Sequence, residues 1–140
     1  LACTIEARSK ESASFGRTSL TRKERWILSE WLVARAAAAL GQELVEHQYE
    51  TPYAEIDLLF RNRFGLTIFE VKSWNSDIYA DFEARTIITR RQLGRLERAR
   101  QFVEARTGDL VRLQIAVVSH RLAHEPRIRV FDPPNLHPGY

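Results

Sequence analysis

The sequence predicts a single α/β domain whose elements follow the order helix, three strands, helix, strand. Two stretches carry apolar residues at helical spacing, and the segments between and after them carry apolar runs or alternations that are typical of strands. The chain has 140 residues, of which 44% are hydrophobic and 10% aromatic, which is enough to bury one core. We therefore expect one globular domain.

The first predicted helix begins at a capping box. Thr21-Arg22-Lys23-Glu24 has the Thr-x-x-Glu form, in which the two side chains bind free backbone N–H groups at the helix start. Apolar residues follow at helical spacing, namely Ile27, Trp31, Ala34 and Ala38. Gly41 suits the left-handed conformation that ends a helix, so the helix should span about residues 22–40. Residues 1–20 have little apolar patterning, and we expect them to form a flexible arm.

Three predicted strands follow this helix and form a meander, at residues 44–49, 55–60 and 66–72. A polar loop that ends in Gly65 separates the second strand from the third. Residues 73–86 show no clear period, and we assign no element to them.

The second half of the chain predicts a helix and a strand. The helix should span about residues 89–106, on the spacing of Leu93, Leu96 and Val103, and end at Thr107-Gly108. A half-buried strand follows, with apolar residues at Val111, Leu113, Ile115 and Val117. A short strand-like run, 128–131, lies in residues 121–140, which we treat as a C-terminal extension. The domain itself is then expected to cover residues 21–120.

Composition limits the classes of partner. The formal net charge is +3, and 18 of the 21 basic residues are Arg, which binds phosphate in a bidentate manner; an anionic partner is favoured, with genomic composition and solubility as the alternative explanation. Cys3 is the single cysteine, so an intramolecular disulfide is excluded and a reducing, cytoplasmic setting fits. No apolar run approaches the roughly 18 to 20 residues of a membrane span, and no membrane partner is expected.

Two strands carry acidic residues among apolar neighbours. If the second and third strands pair as a hairpin, Asp57 should lie near Glu70, with Lys72 on the same face as Glu70. Carboxylates placed so closely raise each other's pKa unless a cation lies between them. Mg²⁺ or Mn²⁺, held by the two carboxylates and the Val71 carbonyl, is the simplest compensation, and the lysine would then assist phosphodiester hydrolysis. The alternative is a solvated strand face with alternating charges.

An Asp on one strand followed by Glu-x-Lys on the next resembles the PD-(D/E)XK nuclease superfamily, whose restriction-endonuclease-like αβββαβ core has a mixed central sheet flanked by helices. Within it, the chain is similar to the YraN-like family of uncharacterised bacterial proteins over about residues 26–118. The residues that carry this likeness are Glu30, Gly41, Glu55-Ile56-Asp57-Leu58-Leu59, Ile68-Phe69-Glu70-Val71-Lys72, Arg91-Gln92 and Ala99-Arg100.

The resemblance implies a metal-dependent endonuclease acting on nucleic acid, with DNA favoured over RNA. It implies that Asp57 and Glu70 bind the metal and that Lys72 is the catalytic lysine. Glu30 would reach the metal directly or through water, although an acid in a helix is more often simply solvated. Arg91 would face the phosphate backbone. The chain departs from the family at Ala54 and at Arg112-Leu113-Gln114, which leaves the substrate open.

The segment from Arg85 to Arg106 is the most basic part of the chain, with seven Arg against two acids. A phosphate-binding surface and a solvated helix face both fit this pattern. The residues that we expect to contact nucleic acid are Arg90, Arg91, Arg95, Arg98, Trp74 and Tyr79, the two aromatic residues by stacking on an unpaired base.

Three alternatives stay open from the sequence. The domain could bind nucleic acid without catalysis, because a fold alone does not decide this. It could be a homodimer that forms through the helix bearing Trp31. His120 and His124 have helical i, i+4 spacing that could bind a metal, but no third ligand is placed to complete a site.

Overall fold

A computed structural model describes residues 3–6, 20–74, 88–120 and 125–133 of the chain. The elements in these ranges are β1 (Cys3–Glu6), α1 (Arg22–Ala39), β2 (Glu43–Glu50), β3 (Glu55–Asn62), β4 (Gly65–Trp74), α2 (Arg90–Thr107), β5 (Val111–Ser119) and β6 (Arg127–Phe131). The predicted order of helix, three strands, helix and strand is confirmed, with one further strand at each end of it.

The strands described form one sheet with the order β1-β6-β5-β4-β3-β2. The pairing of β4 with β5 is parallel, and every other pairing between these strands is antiparallel. A parallel pair needs a crossover connection, and the connection between β4 and β5 contains α2. The sheet is therefore mixed, as expected for a restriction-endonuclease-like core.

The two helices cover opposite faces of the sheet, and each face has its own apolar cluster. The cluster under α1 contains Leu32, Val33, Ala37, Leu58, Phe60, Phe69, Val71, Ala116, Val118, Ile128 and Val130. The cluster under α2 contains Ile56, Leu59, Leu66, Ile68, Ile88, Leu93, Leu96, Ala99, Val103, Val111, Leu113, Ile115 and Val117. Because β3, β4 and β5 contribute to both clusters, these strands are buried on both faces.

The helix ends follow the local signals in the sequence. The predicted capping box at Thr21 and Glu24 is formed, and Thr89 makes a second one with Gln92 at the start of α2. At the end of α1, Gly41 adopts a φ of 86°, which allows its N–H and the next one to bind carbonyls of the last turn. Neither described helix is long and apolar enough to cross a membrane.

The expected terminal boundaries are wrong in two places. Residues 3–6, expected in a flexible arm, form β1 and pair with β6, since four residues are too few to show a period in the sequence. Residues 127–131, assigned to an extension, belong to the sheet, because Ile128 and Val130 are buried under α1. Tyr79, Arg85 and His124 lie outside the described residues.

Gly65 gives a test of how the sheet is assembled. It has a φ of 136°, and a Cβ there would overlap the main-chain carbonyl oxygen of Leu110, which accepts a hydrogen bond from the Leu66 N–H at the start of the parallel ladder. We expect Gly65→Ala to lower the free energy of unfolding by about 2 kcal/mol or more, measured by urea denaturation. Gly94→Ala is the matched control, because a Cβ there meets open space in α2 and should stabilise by roughly 0.5–1 kcal/mol. A Gly65→Ala protein as stable as the wild type would contradict this close approach.

Candidate active site

The strands β3 and β4 are joined by a side chain where their main-chain pairing stops. That pairing runs from the hairpin turn as far as Leu58 opposite Phe69. Beyond it, the Val71 N–H donates a hydrogen bond of 2.8 Å to Oδ2 of Asp57, whose residue is only 8% exposed. The carboxylate of Asp57 therefore takes the place of a main-chain acceptor, in the gap between the two strands.

On the other side of β3, the pleat of the sheet is interrupted at the same level. β2 pairs His47 with Leu58 and Tyr49 with Ile56, so Gln48 lies opposite Asp57. Residues two apart on a regular strand share a face, yet Leu58 packs under α1 whereas Ile56 and Tyr49 pack under α2. The regular alternation that would place Glu55 and Asp57 on one face does not continue through this point.

Gln48 has an unusual backbone conformation at the point where the pleat is interrupted. Its φ is 51°, the one positive value at a non-glycine residue in the described chain. The left-handed region costs an ordinary residue roughly 1–2 kcal/mol. Such strained positions persist only where the surrounding structure holds them in place, and they cluster at functional sites.

Glu70 and Lys72 share a face of β4, as their two-residue spacing predicts. The Lys72 Nζ lies 3.2 Å from Oε1 of Glu70, and both side chains are largely buried. Their parallel partners on β5, Ile115 and Val117, belong to the cluster under α2, so this ion pair lies on that side of the sheet.

The two carboxyls of Asp57 and Glu70 are close enough to share a proton. The pKa of Glu70 is raised to about 8. Burial is the largest cause and the charge of Asp57 adds to it, whereas the charge of Lys72 opposes the rise. Burial likewise raises the pKa of Asp57, against the hydrogen bonds from Val71 and Glu70 that favour its charged form. Without a cation, the raised pKa values therefore favour a protonated carboxyl in this pair over two adjacent charges.

Glu30 adds a third buried carboxyl from α1. Its side chain is 4% exposed, and Oε2 lies 3.3 Å from Nε2 of His47, while Oε1 is buried and has no hydrogen-bond partner within the described part of the chain. Burial raises the pKa of Glu30, and the charges of Asp57 and Glu55 add to the rise, whereas His47 opposes it. The helix acid is thus within electrostatic reach of the acids at the strand break.

The acidic residues fit a partly hydrated divalent ion. Within the described ranges, no three His, Cys, Asp or Glu side chains are grouped closely enough to enclose a metal. Mg²⁺ does not require such a cage, because it keeps several waters and is often bound through one or two carboxylates. The adjacent carboxyls of Asp57 and Glu70 supply that kind of donor set, whereas the expected reach of Glu30 to the metal, directly or through water, stays a prediction. For Val71, the structure shows the N–H bound to Asp57, and the expected role of its carbonyl stays a prediction.

The predicted nucleic-acid contacts lie on α2 and at the end of β4. Four arginines are exposed, and the last three of them recur at i, i+4 and i+7 on one side of the helix: Arg90, Arg91, Arg95 and Arg98. Arg100, in contrast, is held in ion pairs with Glu97 and Glu104. Trp74 is half-buried against the cluster under α2, so much of its ring surface is covered by the protein.

His120 has a structural partner. It follows strand β5 and is buried, and its Nε2 lies 2.8 Å from Oγ of Ser29 on α1. Burial lowers the pKa of His120, and the nearby Arg25 lowers it further. His120 thus joins α1 to the end of β5, and the possible metal pair with His124 stays a prediction, because His124 lies outside the described residues.

Two residues at the site were missed by the sequence analysis. His47 is a lone histidine on a polar strand, and Gln48 is a residue type with no special preference for positive φ. The sequence offers one indirect signal, since strand 44–49 lacks the strict alternation of its neighbours.

The chain matches the sequence pattern of one known protein family. The sequence pattern of the Uncharacterised protein family UPF0102 matches residues 29–119. The chain belongs to this family. It is the YraN-like family that the motifs resemble, and the resemblance is confirmed over a range that includes Glu30, Asp57, Glu70 and Lys72. The strands β1 and β6 lie outside the matched range. No curated protein matches the chain.

The raised pKa of Glu70 predicts a pH-dependent stability for the metal-free protein. Below a pH of about 4.5, folded and unfolded chains are both protonated at Glu70 and the stability is fully present. As the pH rises to about 8, the unfolded chain gives up the proton while the folded chain keeps it, so the free energy of unfolding should fall by a few kcal/mol, as an order of magnitude.

Urea denaturation in EDTA between pH 5 and pH 9 measures this fall. Glu70→Gln should remove most of the slope and stabilise the protein at pH 9. The same slope in the wild type and the variant would show that Glu70 does not titrate as described.

Proposed function

We propose that this protein is a Mg²⁺- or Mn²⁺-dependent endonuclease that hydrolyses phosphodiester bonds of nucleic acid, with DNA favoured over RNA. The observation that carries the proposal is the buried pair of hydrogen-bonded carboxyls of Asp57 and Glu70, with the Lys72 ammonium 3.2 Å from Glu70. A structural ion pair needs one acid for one base, and a second buried acid is a cost of folding. A divalent cation at this position would remove that cost.

Three acids would hold the metal, namely Asp57 and Glu70 directly and Glu30 directly or through water. A bound divalent ion would lower the pKa of a water molecule and polarise the scissile phosphate. The hydrogen bond from the Val71 N–H holds Oδ2 of Asp57 in place beside Glu70. The family's nuclease-like fold supports the proposal by analogy.

Lys72 acts through its charge. Its ammonium favours the ionised form of Glu70 and so helps to keep this acid ready for a cation. The same group adds positive charge where negative charge develops on the phosphate, and in a largely buried site that effect is stronger than in water.

The exposed arginines of α2 would form a surface that binds the phosphate backbone of the substrate. α2 ends near Leu110, which is bonded to the first residues of β4, and a helix of 18 residues is roughly 27 Å long. Packed along the sheet in a crossover, α2 must therefore begin toward the end of β4 that carries Glu70 and Lys72. Arg90 and Arg91, in its first turn, are the arginines of this helix nearest to the proposed site.

Cleavage of a panel of labelled DNA and RNA structures tests the activity. With Mg²⁺ or Mn²⁺, we expect cleavage by the wild type and a loss of about 100-fold or more in Lys72→Ala, since one group that stabilises transition-state charge contributes on this order. Lys23→Ala is the matched control, because this lysine is exposed at the start of α1. The Lys23→Ala protein should cleave the labelled substrates at the wild-type rate.

The outcomes of this assay separate the alternatives. Activity that survives in Lys72→Ala would indicate contamination. A wild type that binds Mn²⁺ and nucleic acid but cleaves nothing would be a non-catalytic binding protein with the nuclease fold. A wild type that is neither bound nor stabilised by Mg²⁺ or Mn²⁺ would overturn the metal-dependent function.

The salt dependence of binding tests the arginine surface. We expect Arg91→Ala to weaken binding of labelled DNA and to reduce the slope of log K against log salt by about 1 for the lost phosphate contact. Fluorescence anisotropy in EDTA measures this without cleavage. Arg112→Ala is the control, since this exposed arginine lies on β5, pairs with Asp132 and is remote from α2's first turn. Equal slopes in all three proteins would exclude Arg91 from the interface.

A further inference from the structure

The edge strand β2 brings one side chain to the buried acid of α1. His47 is 48% exposed at its side chain, and its Nε2 lies 3.3 Å from Oε2 of Glu30. Glu30 itself is almost fully buried, and its other oxygen, Oε1, has no partner among the described residues. A buried carboxylate oxygen left unpaired is rare in folded proteins and requires an explanation.

We propose that His47 is a positioning residue that fixes the Glu30 carboxylate, so that Oε2 is held by the imidazole and Oε1 is left to receive a ligand. This role rests on the proposed metal-dependent function. A carboxylate can only accept hydrogen bonds, so Nε2 of His47 carries the proton and donates it to Oε2. A neutral ring is sufficient, and the exposed side of the imidazole stays in solvent.

The orientation matters because the last torsion of a Glu side chain is soft. The terminal carboxylate torsion has a broad, two-fold distribution, so without a partner the two oxygens of Glu30 would exchange freely. A hydrogen bond from a second residue selects one orientation before the ligand arrives. In metal sites, loss of such an outer partner commonly weakens metal binding by about 10- to 100-fold.

The backbone at Gln48 is what brings His47 to Glu30. Tyr49, two residues further along β2, packs under α2, and an unbroken pleat would send His47 to that same side. The positive φ of Gln48 interrupts the pleat, so His47 meets α1 instead. Gln48 is itself exposed within the edge strand β2, so packing does not explain its strained conformation, whereas the placement of a hydrogen-bond donor beside a buried acid does.

The experiment compares Mn²⁺ binding, measured by calorimetry without nucleic acid, in a small set of variants. His47→Phe keeps a planar ring and removes the donor, and we expect it to bind Mn²⁺ about 10- to 100-fold more weakly than the wild type. His47→Gln keeps a donor at similar reach and should restore most of the affinity. Val45→Ala, an exposed change on the same strand, should bind as the wild type does.

A double variant shows whether His47 acts through Glu30. In a Glu30→Gln background, His47→Phe should cause no further loss of Mn²⁺ affinity. Urea denaturation of every variant checks that the fold is kept, which we expect because His47 is half-exposed on an edge strand.

The outcomes distinguish this role from the proposed function. A wild type that does not bind Mn²⁺ overturns both. A wild type that binds, together with His47→Phe of equal affinity, overturns the role of His47 alone. The same follows if His47→Gln is no better than His47→Phe, or if the loss is as large in the Glu30→Gln background.

Discussion

The hydrogen bond from the Val71 N–H to Asp57 is the interaction on which the candidate site depends. It closes the gap between two central strands with a side chain in place of a carbonyl. A buried carboxylate so placed is held without rotational freedom, and it lies beside Glu70 because Val71 is the next residue of β4. The same bond that completes the sheet therefore sets the charge repulsion that makes the site receptive to a cation.

Much of the fold could be predicted because its signals are local. The capping box at Thr21, the stops at Gly41 and Gly108, and the apolar spacing of α2 each depend on a few neighbouring residues. The ion pair of Lys72 with Glu70 follows from the two-residue period of a strand. The family motifs then joined these separate elements into one expected site, and membership of the family is confirmed over residues 29–119.

The remaining features depend on contacts between distant segments. A period of two assumes an unbroken pleat, and the pleat is interrupted at Gln48 and Asp57. Neither residue is a glycine, so the sequence does not indicate the interruption. His47 consequently could not be assigned to the face of α1 from its position in the strand. β1 is too short to show a period of apolar residues in the sequence, and its place in the sheet depends on pairing with β6, which lies more than 100 residues later.

The pairing of β1 with β6 joins residues 3–6 to residues 127–131, at opposite ends of the chain. Closing so long a loop is entropically unfavourable for a strand of four residues, so β1 should dock after β5 and β6 have paired. Until then β6 is an edge with unpaired main-chain groups, the kind of surface on which other chains add. Once docked, β1 pairs with the main chain of β6, and this edge of the sheet then consists of a strand of only four residues.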